Sequence, residues 1–139
     1  MSVFRLSALA FVPMIEVLIV DDHAVMRELL RQVLESYSEL AVVAEAVNGE
    51  DAVRQATRFK PDVALIDVHL PTMTGIQAST LIKLQSPHTA IIGLTAGEPD
   101  QRDRAMIAAG ASAVINKADV VQSLYPSILD AVKTLKAAL

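Results

Sequence analysis

Along this chain, five short apolar runs alternate with five longer segments in which apolar residues recur at helical spacing. The runs cover residues 15–20, 40–46, 63–66, 90–94 and 112–116, and they are close to continuously apolar, as in strands covered on both faces. Glu16 interrupts the first, and Glu45 in the second marks it as an edge strand. The intervening segments predict helices over 24–37, 50–59, 76–85, from an Asp100 cap to Ala109, and 120–138. In the first, Val25, Leu29, Val33 and Tyr37 recur every four positions beside Leu30 and Leu34, with Asp22 as the N-cap. Ala52, Val53 and Ala56 face inward in the second, and Ile76, Thr80, Leu81 and Leu84 share one side of the third. Val121, Leu124, Ile128, Leu129, Val132 and Leu135 line the last. Asn48-Gly49, Pro61-Asp62 and Pro87 punctuate the pattern, and Gly110 suits a left-handed position after a helix. Pro126 falls in the first turns of the last helix, where proline costs less than in an interior.

Strands alternating with helices give a (βα)5 chain, and right-handed crossovers between parallel strands make it a doubly wound α/β sheet. The commonest five-stranded order is 2-1-3-4-5, with its ligand crevice at the carboxyl ends of strands one and three. Asp21 and Asp22 end the first apolar run and Asp67 the third, so all three share that crevice. Thr95 ends the fourth run and Lys117 the fifth, on the other side of Asp67.

Composition narrows the class. The 139 residues suit one domain with a self-sufficient core, and the 53% hydrophobic content with three Phe, two Tyr and no Trp implies a core of aliphatic side chains. Cysteine is absent, which excludes disulfides and thiolate chemistry. A net charge of −4, with 12 Lys and Arg scattered along the chain, argues against a nucleic-acid surface. No apolar run is long enough to span a bilayer. Residues 1–13 precede a second methionine, Met14, and read as a leader, disordered or a non-native start, that folding does not need; its apolar patch is too short for a secretory signal. Residues 14–139 form the domain.

Three carboxylates in one crevice repel each other by about 4 kcal/mol per pair at ~4 Å in a surface-like dielectric. A hard divalent cation such as Mg²⁺ offsets this, since it prefers one or two carboxylates with further oxygen ligands. His23, His69 and His88 are not spaced as ligands for a softer metal. With Mg²⁺ on one side of Asp67 and Lys117 on the other, the crevice suits a phosphoryl group, with Asp67 as the nucleophile. A dinucleotide-binding domain would need a glycine-rich turn where Asp21-Asp22-His23 stands, and a magnesium-dependent phosphatase a second carboxylate where His69 stands.

At this point the chain resembles a response-regulator receiver domain of the CheY-like, flavodoxin-like kind over residues 15–138. The matching motifs are Val20-Asp21-Asp22-His23, Asp67 followed by Leu70-Pro71-x-Met73-x-Gly75, Leu94-Thr95-Ala96, and Ala109-Gly110-Ala111 seven residues before Lys117. The resemblance implies that Asp67 accepts phosphate from a histidine kinase or phosphotransfer protein in a two-component phosphorelay. It implies Mg²⁺ held by Asp22 directly, Asp21 through water, Asp67, and the main-chain carbonyl of His69. Thr95 is then the switch hydroxyl and Lys117 the phosphate partner. Such a protein is no conventional enzyme, although it catalyses its own phosphotransfer and autodephosphorylation.

One departure stands out. Receivers usually carry Tyr or Phe three residues before the lysine, and Val114 stands there, so inward rotation of a ring cannot be the output step. That keeps alive an alternative, an unphosphorylated pseudo-receiver acting as a protein-interaction module. Lys117-Ala118-Asp119 resembles receivers of helix-turn-helix (LuxR-type) transcriptional regulators, which implies a cytoplasmic protein, a possible homodimer, and contact with DNA only through a domain not present in this chain.

Overall fold

The computed structural model describes residues 3–7 and 10–139. Among the described residues, six strands form the sheet: β1 (Val3–Ser7), β2 (Ala10–Val20), β3 (Leu40–Ala46), β4 (Val63–Asp67), β5 (Ala90–Thr95) and β6 (Ala113–Asn116). β3, β2, β4, β5 and β6 pair side by side, all parallel, which is the expected order 2-1-3-4-5 once β1 is set aside. β1 runs antiparallel to the first part of β2, from Val3 opposite Met14 to Ser7 opposite Ala10. Strand pairing thus reaches into the leader, where disorder was the expectation, and β2 begins five residues earlier than the apolar run 15–20 suggested.

Alternate residues of the buried strands feed two cores. Val17, Ile19, Val63, Leu65, Ile92 and Leu94 face α1 (Ala24–Glu35) and α5 (Val120–Ala138). Leu18, Val20, Ala64, Ile66 and Ile91 face α2 (Gly49–Phe59), α3 (Gly75–Gln85) and α4 (Gln101–Ala108). A strand buried on both faces has no polar alternation to display, which is why these runs read as continuously apolar. β3 is an edge of the parallel sheet, and its Glu45 meets Arg27 at 3.1 Å and Arg31 at 2.5 Å, both from α1.

Helix ends follow local chemistry. Asn48 caps α2 by accepting from the Asp51 amide, and Thr74 with Gln77 forms a reciprocal capping box on α3. Asp100 caps α4, and past its end Gly110 takes φ 112° while Gly110 N donates to Ile107 O and Ala111 N to Met106 O, a Schellman closure. Asp22 does not cap α1: His23 occupies that position, without a side-chain cap bond. The carboxylate is turned to the crevice instead.

The helix faces differ from the periodicity in places. On α1 the inward stripe is Met26, Leu30, Val33 and Leu34, with Tyr37 packing against the same core from beyond the helix end, while Val25 is 85% exposed and Leu29 lies outside the core. On α3 the buried residues are Gly75, Ala78, Ser79 and Ile82, so Leu84 and Thr80 face solvent. Small side chains form that face because α3 starts against the backbone of the Asp67 loop. On α5 Val120, Leu124, Ile128, Ala131 and Val132 are buried, Leu135 only partly, and Val121 and Leu129 are exposed. Pro126 is the seventh residue of α5, deeper than its first turn, on an exposed face where water can serve the freed carbonyl of Gln122.

Gly75 sets how close α3 comes. A Cβ there would lie 2.2 Å from the main-chain oxygen of Asp67 and 2.9 Å from the Cα of Val68. Alanine normally stabilises a helical position by about 1 kcal/mol over glycine. Here the clash with backbone wins, and Gly75→Ala is expected to lose on the order of 2–3 kcal/mol in urea unfolding.

Candidate functional site

Parallel register brings the polar strand ends together. Val20 pairs with Ile66 and Asp67 with Leu94, so Asp21, Asp67 and Thr95 come to the same edge of the sheet. Asp21, Asp67 and Thr95 are buried, at 0%, 2% and 6% exposure. Asp22, with its side chain 33% exposed, lies at the rim. Lys117 opens a short 3-10 turn (Lys117–Asp119) after β6. Asn116 steadies that turn by accepting from Ala118 N and donating to Gly97 O.

The Lys117 ammonium lies 2.7 Å from Asp21 Oδ2 and 3.1 Å from Asp67 Oδ2. It donates a hydrogen bond to Asp67, whereas Asp21 Oδ2 has charge contact with the ammonium but no aligned donor. The other oxygens are tied to the backbone: Asp67 Oδ1 accepts from His69 N at 2.9 Å and Asp21 Oδ1 from His23 N at 2.8 Å. The contact seen for His69 at Asp67 is therefore through its amide. Among the described residues, the Thr95 hydroxyl makes no hydrogen bond to Asp67.

Burial pushes the Asp67 carboxyl above its ordinary pKa, with Asp21 adding to the rise, against the His69 amide and Lys117, which pull it down. For Lys117 burial opposes the charge, but the contacts with Asp21 and Asp67 outweigh it and the ammonium is held above its ordinary value. The shared ammonium thus acts unequally on the groups around it. The ammonium faces two carboxylates, while Asp67 faces one ammonium and a like charge in a dry setting.

His23 is a correction to the sequence reading. Its Nδ1 lies 3.1 Å from Asp21 Oδ1 and 3.1 Å from Asp22 Oδ1, and one donor atom each from Asp21, Asp22, His23 and Asp67 fall within 4.8 Å of one another. His23 sits at the N-cap of α1 with extended backbone, φ −96° and ψ 114°. A second missed residue is Arg102 of α4, whose Nη1 lies 2.9 Å from His69 Nδ1. His88, by contrast, lies with Asp62 and Lys136 away from this cluster. Met106 packs in the core over Gly93, as a packing residue should.

A family model for the response regulator receiver domain matches residues 17–128. The chain belongs to the response regulator receiver family. Among curated relatives, the receiver is 33% identical over 115 residues to the response regulator GacA of Pseudomonas viridiflava (80% of this chain, 54% of GacA). It is 36% identical over 118 residues to the transcriptional regulatory protein YdfI of Bacillus subtilis (85% and 55%). It thus spans about half the length of these relatives. Its fold is similar to the response regulator domain of Thermotoga maritima CheB, with a TM-score of 0.81 at 30% identity over 86% of this chain and 97% of that one. Among the described residues, no helix is long and apolar enough to cross a membrane.

The raised Asp67 pKa has a sign. A carboxyl whose folded pKa lies above its unfolded value stabilises the fold below the unfolded pKa, and that contribution is lost as pH rises through the folded value. At neutral pH the ionised Asp67 is therefore a cost, while Lys117 keeps Asp21 as its partner. Asp67→Asn is expected to raise stability by about 1 kcal/mol, a few degrees in Tm. In melts across pH the gain should be greatest near neutrality and should vanish toward acid, where the wild-type carboxyl is already protonated.

Proposed function

We propose that this receiver is a phosphoacceptor that takes a phosphoryl group on Asp67 from a histidine kinase or phosphotransfer protein. The observation that carries the reading is a buried carboxylate at a strand end with Lys117 at 3.1 Å and with donor atoms of Asp21, Asp22 and His23 clustered with its own within 4.8 Å. Asp67 Oδ attacks phosphorus as the N–P bond of the phosphohistidine breaks; the bond electrons return to the imidazole, which takes up a proton. Lys117 pairs with one phosphoryl oxygen, and the free Thr95 hydroxyl donates to another.

The residues present fit Mg²⁺. The donor set is rich in hard oxygen, and Asp21 Oδ2 is a buried oxygen without an aligned donor. Asp21, Asp22 and Asp67 would hold the ion, with the main-chain carbonyl of His69 as a further oxygen. When bound, it supplies charge neutralisation at the phosphoryl oxygens.

Output is read as regulation of a partner or DNA-binding domain in the cytoplasm, in keeping with the printed name of YdfI as a transcriptional regulatory protein. Val114 is the observation that favours the second reading, an interaction module without phosphorylation. The two separate on intact mass after incubation with acetyl phosphate. A gain of one phosphoryl group that requires Mg²⁺ and disappears in Asp67→Asn is the expected result. An unmodified wild-type protein, folded by circular dichroism, favours the second reading.

A further inference from the structure

The contact between His69 and Arg102 joins the loop after β4 to the first turn of α4. His69 sits two residues past Asp67, with its own amide on the Asp67 carboxylate. Arg102 is the second residue of α4, just beyond the loop that follows Thr95. Its Nη1 meets His69 Nδ1 at 2.9 Å, while its Nε and Nη2 approach Asp100 at 3.2 and 3.1 Å. A guanidinium only donates, so Nδ1 accepts and the imidazole is the neutral Nε2–H tautomer while the contact lasts.

α4 is weakly held. It has eight residues, and Met106 is its only buried side chain. Ile107 is 48% exposed, and with Asp103, Arg104 and Val114 it lines an open groove. A bulky ring at 114 would have given α4 a partner there. An element with so few buried contacts moves at low cost, and its position depends on tethers such as the one at Arg102.

We infer that Arg102 is a phosphoryl-binding residue held in waiting by His69, and that its transfer from imidazole to phosphoryl oxygens is how the modified Asp67 moves α4. The inference rests on Asp67 being the phosphoacceptor. A neutral imidazole is a single uncharged acceptor, whereas an acyl phosphate offers three oxygens and up to two negative charges beside the same loop. The fork of a guanidinium suits two of those oxygens, so the exchange favours phosphate even though Asp100 keeps a share of the charge. The route uses no aromatic at position 114. It acts on the first turn of α4, where Asp100 Oδ1 accepts from the Arg102 amide at 2.8 Å.

The test uses beryllofluoride with Mg²⁺ as the phosphoryl probe on the full chain, comparing wild type, Arg102→Gln, Arg102→Lys and Asp67→Asn by NMR. Arg102→Gln is expected to bind the probe roughly fivefold more weakly with an unchanged Tm, and Arg102→Lys to recover part of that loss. In wild type the His69 ring nitrogens should shift when the probe binds, and α4 amides should shift with them. In Arg102→Gln the ring should already resemble the probe-bound state and respond little. Equal affinity in wild type and Arg102→Gln, or a His69 ring that does not respond in wild type, overturns the inference while leaving phosphoacceptance intact. A wild-type protein that binds no probe overturns phosphoacceptance itself, and the inference with it.

Discussion

One ammonium holds two buried carboxylates together at the ends of β2 and β4. Lys117 reaches Asp21 and Asp67 from a turn after β6, so the ion pair crosses the sheet from its edge to its centre. The sheet must deliver the carboxylates in register, β6 must stop where Asn116 can tie its turn to Gly97, and α3 must start on a glycine for the Asp67 loop to close. Even so, the balance of charge is incomplete. Burial and the second carboxylate leave Asp67 with a raised pKa despite its ion pair, which is the state expected of a carboxylate that gains from binding a cation.

On the phosphoacceptor reading proposed above, that imbalance favours attack by Asp67 on phosphorus. A well-compensated ion pair would resist attack on phosphorus and gain little from a metal. Here Asp21 Oδ2 lacks an aligned donor, and the Asp22 carboxylate and His23 imidazole cluster with it and with Asp67, which is the donor set the proposed cation site draws on.

The fold was legible because strands covered on both faces carry unbroken apolar runs, and polar landmarks at their ends mark one rim of the sheet. Asp21, Asp22, Asp67, Thr95 and Lys117 could be placed there from topology alone. Helix faces were less legible. Hydropathy weighs Leu84 heavily and Ala78 and Ser79 hardly at all, yet close approach of α3 to the Asp67 loop selects the small residues for the buried side. His23 and Arg102 were invisible for another reason: one depends on the local geometry at the start of α1 and the other on the first turn of α4 meeting a loop 33 residues earlier. Strand β1 lies in a stretch whose short apolar patch carried no strand signal strong enough to separate it from a leader.

Asp67 is a carboxylate left under-compensated by its surroundings, and the proposed cation would relieve it. The most direct measurement is a carbon-13 NMR pH titration of the Asp67 side-chain carboxyl, with and without Mg²⁺. The expected midpoint lies above the ordinary aspartate range in the metal-free protein and falls when Mg²⁺ is added. A midpoint in the ordinary range that Mg²⁺ does not move would contradict it.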